Sequence, residues 1–512
     1  MSTVANLAPT TPACEHGGRP TGFSATFDPT RPASAVTVGY SCGCRRPVDA
    51  PVTISPFRSA SPLTTTTCDP ARRTVRRGPL ATVPVFYTRT DNGVVHVGTA
   101  LSRLHTDSAV SVAALGAALA GQPLPSPLTP STDVFRLATG AALRCLDNDR
   151  GVRLHLEELD WRELLPAGFR RAEPRELLRT ALVTALADSQ ADLVAVSGGP
   201  ASTLLAALAT PLPARHVSVR MPVLDRRTVA VGRFADVGLP EIDVVDGTAD
   251  WAAVRDGDVP VLPEHCDPWL DRVAGEATGS VVSGYGLGLL LAAAGRRERP
   301  RRRDLLTGEQ VSPELWGRSF FRRAPAAGVH DVPPHWFGPE ALAALRTAQA
   351  AAATNHLVPE GRADRWLGPL LSQLTALLDG CGLSRVDHTA GDRPAPLLPG
   401  LHPAVVGAAL ALAARGRSLA PVDLLPDGWR PADPPVGGRD RLFAAAYVSE
   451  RLATASARAD LLRRLGDGGW VRADRLAVVL AEPGARLANS WPLHRLHVLA
   501  TTHRDLMTGA RS

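Results

Sequence analysis

The feature that most constrains this chain is an alternation of strand and helix patterns across residues 175–283, with a glycine pair at its first strand-to-helix turn. Residues 175–189 have helical apolar spacing, 192–196 form a short apolar strand, and Ser197-Gly198-Gly199-Pro200 turns into a helix over 202–209. A strand at 216–220, a helix near 226–237, and strands at 241–245 and 280–283 follow. Strands separated by helices cannot pair as hairpins, so the pattern predicts a parallel sheet with helices on both faces.

The flanking segments read differently. The first seventy or so residues are rich in Pro, Ser, Thr and Gly and support only short strands and loops. Residues 80–87 are β-rich, Asp91-Asn92-Gly93 is a hairpin turn signal, and 94–97 continue as the returning strand. A short helix at 110–120 and strands at 133–144 and 152–156 complete this part. Beyond residue 313 the chain is Ala/Leu/Arg-rich and helical in pattern, most clearly at 341–352, 367–378, 404–414 and 441–465. A length of 512 residues suits two domains, divided here as 1–165 and 170–512.

Charge and cysteine usage narrow the function classes. A net charge of +6 from 56 basic and 50 acidic residues does not mark a nucleic-acid binder without a concentrated patch. The densest positive run is Arg296-Arg297-Glu298-Arg299-Pro300-Arg301-Arg302-Arg303, read as a solvated loop. Every basic residue is Arg, so no side chain has the tunable amine of a Lys. The seven cysteines are odd in number and scattered, which fits a reducing cytoplasm better than a disulfide framework. Neither a leader nor an apolar run of about 18 residues is seen, so secretion and membrane spanning are not expected. Cys14, His16, Cys42 and Cys44 are ligand types that suit tetrahedral zinc. No C-x-x-C knuckle recurs among them, so they are read as unrelated thiols and no metal is assigned. His494, His497 and His503 are expected to serve packing or surface roles.

The chemistry centres on Leu193-Val194-Ala195-Val196-Ser197-Gly198-Gly199-Pro200-Ala201-Ser202-Thr203. A glycine pair after a parallel strand lets backbone N–H groups turn toward an anion, and the next helix adds its positive end. Ser197, Ser202 and Thr203 offer hydroxyl donors, so phosphate or pyrophosphate is the natural guest. Taken alone, Ser-Gly-Gly more often means a tight turn with Ser202 as helix cap.

Context adds weight, because the segment resembles the pyrophosphate loop of the asparagine synthetase family, S-G-G-x-D-S followed by Ser or Thr. Ser197, Gly198, Gly199 and Ser202 match, Thr203 is an allowed variant, and Ala201 replaces an Asp that helps hold Mg²⁺. Downstream, Ser283-Gly284-Tyr285-Gly286-Leu287-Gly288 is similar to a second family segment, Ser or Thr followed by G-x-G-x-D. Tyr285 resembles the β-lactam synthetase branch, whose Tyr takes part in amide formation, and Gly288 stands where a second Mg²⁺-binding Asp is expected. Residues 393–399 resemble a P-F-L-D segment through Pro396, Leu397 and Leu398, with Pro399 in place of the Asp. The stretch Gly78 to Tyr87 with the hairpin after it is similar to the family's glutaminase-like domain, and the likeness continues from Phe135 to Gly140. The nucleophilic Cys that follows the initiator Met in that domain is here Ser2, so ammonia release from glutamine is not expected.

The resemblance implies a glutaminase-like, Ntn-type β-rich domain lacking its nucleophile. A doubly wound, ATP-pyrophosphatase-like synthetase domain with a helical C-terminal part would follow it. It implies ATP on Ser197, Gly198, Gly199, Ser202, Thr203, Ser283, Gly284 and Gly286, with Tyr285 as the catalytic residue. The implied reaction is that of a macrolactam-type amide ligase, as in lasso-peptide cyclases: a carboxylate of a peptide or small molecule is adenylated, then attacked by an amine. The family's Mg²⁺ would lack its Asp ligands, and Arg296, Arg297 or waters would compensate only in part. The other reading is a catalytically inactive binding protein, a pseudoenzyme serving a biosynthetic partner, with neither membrane nor nucleic acid involved.

Overall fold

The computed structural model describes residues 14–220, 242–246, 273–294, 334–352, 370–378, 397–429, 438–465 and 468–502, less short gaps within these ranges. The helix expected near 226–237 and the Arg296–Arg303 run lie outside the described residues, as do Ser2, Glu241, Cys266, Cys381 and His503.

The N-terminal part is richer in strands than its composition suggests. In chain order these are β1 (Pro20–Phe27), β2 (Val36–Tyr40), β3 (Arg45–Val48), β4 (Val52–Ile54), β5 (Thr66–Asp69), β6 (Thr74–Arg77), β7 (Phe86–Arg89), β8 (Val95–Gly98), β9 (Phe135–Arg136), β10 (Ala141–Cys145) and β11 (Val152–Leu156). They form two sheets, β3-β2-β1-β8-β7-β9 and β11-β10-β6-β5-β4, and every pairing is antiparallel. Burial alternates along β2, β5 and β10, as it must where a strand turns one face to a core and one to solvent. Phe23, Phe27, Val38 and Val97 of one sheet share a core with Val52, Cys68, Val75 and Leu143 of the other.

Two of the expected strands are shorter than their patterns. The β-rich run at 80–87 contributes strand only from Phe86, because Ala81 N–H closes a turn on the Gly78 carbonyl and Pro84 removes a ladder donor. The run at 133–144 is split into β9 and β10 by Gly140 at φ 71°. The Asp91-Asn92-Gly93 turn does join β7 to β8, with Gly93 at φ 82°.

The later part holds the parallel sheet that the alternation predicts. Strands β12 (Ala191–Ala195), β13 (Arg215–Arg220), β14 (Ile242–Asp246) and β15 (Ser280–Ser283) lie in the order β14-β13-β12-β15, all parallel. The helices, in chain order, are α1 (Val112–Ala120), α2 (Pro174–Ser189), α3 (Pro200–Ala209), α4 (Leu287–Ala294), α5 (Pro339–Ala352), α6 (Pro403–Arg415), α7 (Gly438–Arg451), α8 (Ala455–Leu465), α9 (Ala473–Ala481), α10 (Pro483–Ala488) and α11 (Ser490–Thr502). Val194, Val196 and Val282 pack with α2, α3, α4 and α6 on one face of the sheet. Leu193, Ala195, Val217 and Val281 point into a core shared with α1, α5, α7, α8, α9 and α11 on the other. Among the described residues no helix is long and apolar enough to cross a membrane.

The single helix expected at 441–465 is two helices. Thr454 interrupts it, its hydroxyl accepting from Ala457 N–H at 3.2 Å to cap α8. By contrast, α6 has both ends written in its sequence. Pro403 opens it, His402 Nδ1 accepts from Ala404 N–H, and Gly416 ends it in the left-handed region at φ 60°.

The packing of α1 on α5 depends on a missing side chain. A Cβ at Gly116 would lie 2.3 Å from the Ala344 carbonyl carbon, which is backbone and cannot swing aside. Gly116→Ala is therefore expected to lose about 1–3 kcal/mol despite its better helix propensity, read as a lower urea midpoint.

Candidate functional site

The Gly-Gly turn sits where an open parallel sheet reverses its winding. From β12 the chain goes through α3 to β13 on one side, while β15 lies on the other side of β12. In open α/β sheets ligands bind beyond the carboxyl ends of the strands at such a point. Ala195 is in register with Ser283, so the Ser197 turn and the Ser283 turn leave the sheet side by side.

Local chemistry shapes the first turn. Gly198 takes φ 79°, and Gly199 caps α3 in an extended conformation ahead of Pro200. Ser202 is buried and knits the loop, its hydroxyl accepting from Ser197 N–H at 3.2 Å and donating to the Gly199 carbonyl at 3.0 Å. Thr203, also buried, donates its hydroxyl to the same carbonyl at 2.9 Å. Ser197 is exposed, with its Oγ 3.1 Å from that of Ser202. All three expected hydroxyl donors thus bond within the loop, and Ser197 is the one that is also exposed and could turn outward. The space above Gly199 is open, since a Cβ there would meet only Ser197 Oγ at 3.8 Å.

The second turn is built against the first. A Cβ on Gly284 would fall 2.9 Å from Ser202 N and 3.2 Å from Ala201 Cβ, so only glycine lets the loops approach this closely. Gly286, at φ 78°, has the Leu377 side chain where a Cβ would go. Ser283 is buried and its hydroxyl accepts from Tyr285 N–H at 3.3 Å, while the Tyr285 side chain is 52% exposed. At Gly288 a Cβ would make only an ordinary contact, 3.8 Å from Pro421 Cγ.

The third segment joins the same edge. Leu397 bridges Val282 in parallel, receiving Ser283 N–H on its carbonyl and donating to the Val281 carbonyl. The turn after it packs on α4, with Gly400 leaving 3.5 Å between a Cβ position and Leu287 Cα. Pro396 lies outside the described residues.

Mg²⁺ does not fit this donor set, because Ala201 and Gly288 bring no oxygen from their side chains. Asp246 ends β14, two strand positions from β12 and so roughly 10 Å across the sheet. A phosphate needs backbone donors, a helix N-terminus and space, and the open side of Gly199 at the start of α3 is where this turn offers them.

Two groupings were not legible as groupings in the sequence. Asp188 accepts from Ser59 N–H at 2.9 Å and from the Ser59 hydroxyl, and meets His402 Nε2 at 3.2 Å. Phe57 stands edge-on to the His402 ring at 4.8 Å, so the loop before Ser61 is pinned between α2 and α6. The expectation of unrelated thiols is also corrected: the sulfurs of Cys14, Cys42 and Cys44 lie within 4.8 Å of one another. No family model matches the chain, and no curated protein matches it as a relative.

Proposed function

We propose that this chain is a degenerate asparagine synthetase-like protein that binds the phosphates of ATP beyond the carboxyl ends of β12 and β15 and has lost Mg²⁺-dependent amide formation. In this reading 1–165 is a glutaminase-like domain without its nucleophile, and 170–512 is an ATP-pyrophosphatase-like domain. The reading rests on one observation: the Ser197 and Ser283 turns, 86 residues apart in the sequence, meet at the point where the sheet reverses its winding. Ser197, Gly198, Gly199 and the first turn of α3 would receive the phosphates, and Ser283, Gly284 and Gly286 would close the second side. Loss of activity follows from Ala201, Gly288 and the absence of any Lys. Such a protein would act by binding a nucleotide, a peptide or carboxylate, or a biosynthetic partner.

One observation favours the active reading, a macrolactam-type ligase: Tyr285 projects from the second turn with half its surface open. When bound, ATP would supply a leaving group for activating a substrate carboxylate. Tyr285 would then orient the attacking amine. ATP–pyrophosphate exchange with Mg²⁺ and candidate peptides separates the two readings. Background exchange together with ATP binding is expected, and exchange in the wild type would replace our reading by the ligase.

Gly198→Val should weaken ATP binding by more than about tenfold, because a β-branched residue cannot hold φ 79° without distorting the turn. Calorimetric titration of ATP into both proteins measures this, and equal affinities would remove the loop from the site.

A further inference from the structure

None of the residues in the cluster at the N-terminal edge of the first sheet belongs to the proposed nucleotide site. Cys42 and Cys44 flank Gly43 in the turn between β2 and β3. That turn is closed by Gly43 N–H on the Tyr40 carbonyl and Tyr40 N–H on the Cys44 carbonyl, with Gly43 at φ 84°. Cys14 and His16 precede β1, whose first residue, Pro20, pairs with Tyr40 at the base of the same turn. A 2.7 Å ion pair between Glu15 and Arg46 ties the two pieces together. Cys14 Sγ lies 3.0 Å from Cys42 Sγ, and Cys44 Sγ lies 3.3 Å from His16 Nδ1.

We propose that Cys14, Cys42, Cys44 and His16 form a structural zinc site. Two short segments, Cys-x-His and Cys-x-Cys, bring three sulfurs within 4.8 Å of one another and His16 Nδ1 against one of them, although 28 residues separate Cys14 from Cys42 and His16 from Cys44. Zinc bonds of about 2.0–2.3 Å place tetrahedral neighbours roughly 3.3–3.8 Å apart, so the three sulfurs and the Cys44–His16 pair need adjustments of about an ångström or less, while the exposed His16 ring must also turn toward Cys14 and Cys42. Three thiolates and an imidazole are a donor set for structural zinc, whereas magnesium and calcium take oxygen. The cluster is also reachable, since Cys42 is exposed and Cys44 half-buried. Cys68 and Cys145 differ, being buried in the sandwich core, where desolvation pushes Cys145 up to about 12 and raises Cys68 as well. Those two are packing residues.

Full-length protein, saturated with Zn²⁺ and desalted, is expected to retain about one zinc per chain by elemental analysis. Cobalt in its place should show thiolate charge-transfer absorption and tetrahedral ligand-field bands. Cys42→Ser and Cys44→Ser should each weaken zinc binding more than about tenfold, with His16→Ala at the low end of that loss. Because those variants can misfold, alkylation of the wild type provides a second readout. Zinc should slow iodoacetamide modification of Cys42 and Cys44 at least about tenfold, and EDTA should restore it. The proposal is overturned if the wild type retains no zinc, if both serine variants retain it equally, or if Cys14 and Cys42 are recovered as a disulfide under reducing conditions.

Discussion

Arg77→Ala is expected to destabilise the protein by roughly 3–5 kcal/mol, the largest effect of any single substitution considered, from lost packing and lost hydrogen bonds together. Arg77 ends β6, and its side chain is fully buried. Its guanidinium donates to the Leu137 carbonyl at 3.0 Å, the Leu378 carbonyl at 3.2 Å and the Ala81 carbonyl at 3.4 Å. These acceptors come from three separate stretches of chain, and Leu378 is 301 residues away in sequence. Truncation removes the donors, leaves buried carbonyls short of a partner and opens a void where the side chain lay. Arg77→Met restores much of the volume and none of the donors, so it should recover only the packing part. Guanidinium unfolding of the three proteins measures both parts, and an Arg77→Ala midpoint equal to wild type would refute the account.

Acidification should destabilise the C-terminal helices. Burial, with nearby Arg495 and His497 charge, holds His494 down to about 3, and burial with Arg464 and Arg451 holds His497 down to about 4. Both rings stay neutral in the folded state at pH 5, while in the unfolded chain they take up protons below about 6.5. Folded pKa values below unfolded ones mean stability that is complete above about pH 6.5 and is lost as pH falls toward 4 and then 3. The expected loss between pH 7.5 and pH 5 is about 2 kcal/mol for each ring. His402 adds to the loss in the same direction, because its burial outweighs the opposing Asp188. Tyr447 contributes to the burial of His494 and His497, its ring tilted against His494 at 4.5 Å and its hydroxyl meeting His497 Nδ1 at 2.8 Å. His494→Phe should flatten the pH dependence of the unfolding midpoint, and an unchanged slope would refute the assignment.

The parallel sheet was legible because short Val-bearing strand patterns alternate with helical ones, and β15 falls on its expected bounds of 280–283. Val196 is an exception that extends the lesson, since it donates to the Val217 carbonyl without lengthening β12. The two turns were legible as glycine motifs. Their adjacency depends on the β12–β15 pairing, a long-range fact that local spacing does not carry. The N-terminal strands were under-read because alternation over four residues, as in Thr66–Asp69, is too short to stand out among prolines and serines. Cys14, His16, Cys42 and Cys44 read as unrelated for a similar reason: the proximity of their segments is created by β1 pairing with β2. The Thr454 interruption was missed because Ala and Arg on either side keep a helical period that the cap overrides.

The pin at Asp188 has a mechanical consequence. Ser59 and Phe57 from the sandwich hold Asp188 and His402, and His402 ends the turn that packs Gly400 against Leu287, two residues past Tyr285. A fragment beginning at residue 170 would lose that splint, and the Gly400 turn would be free to shift against Leu287. The amino-terminal sandwich thus has a bracing duty toward the parallel sheet.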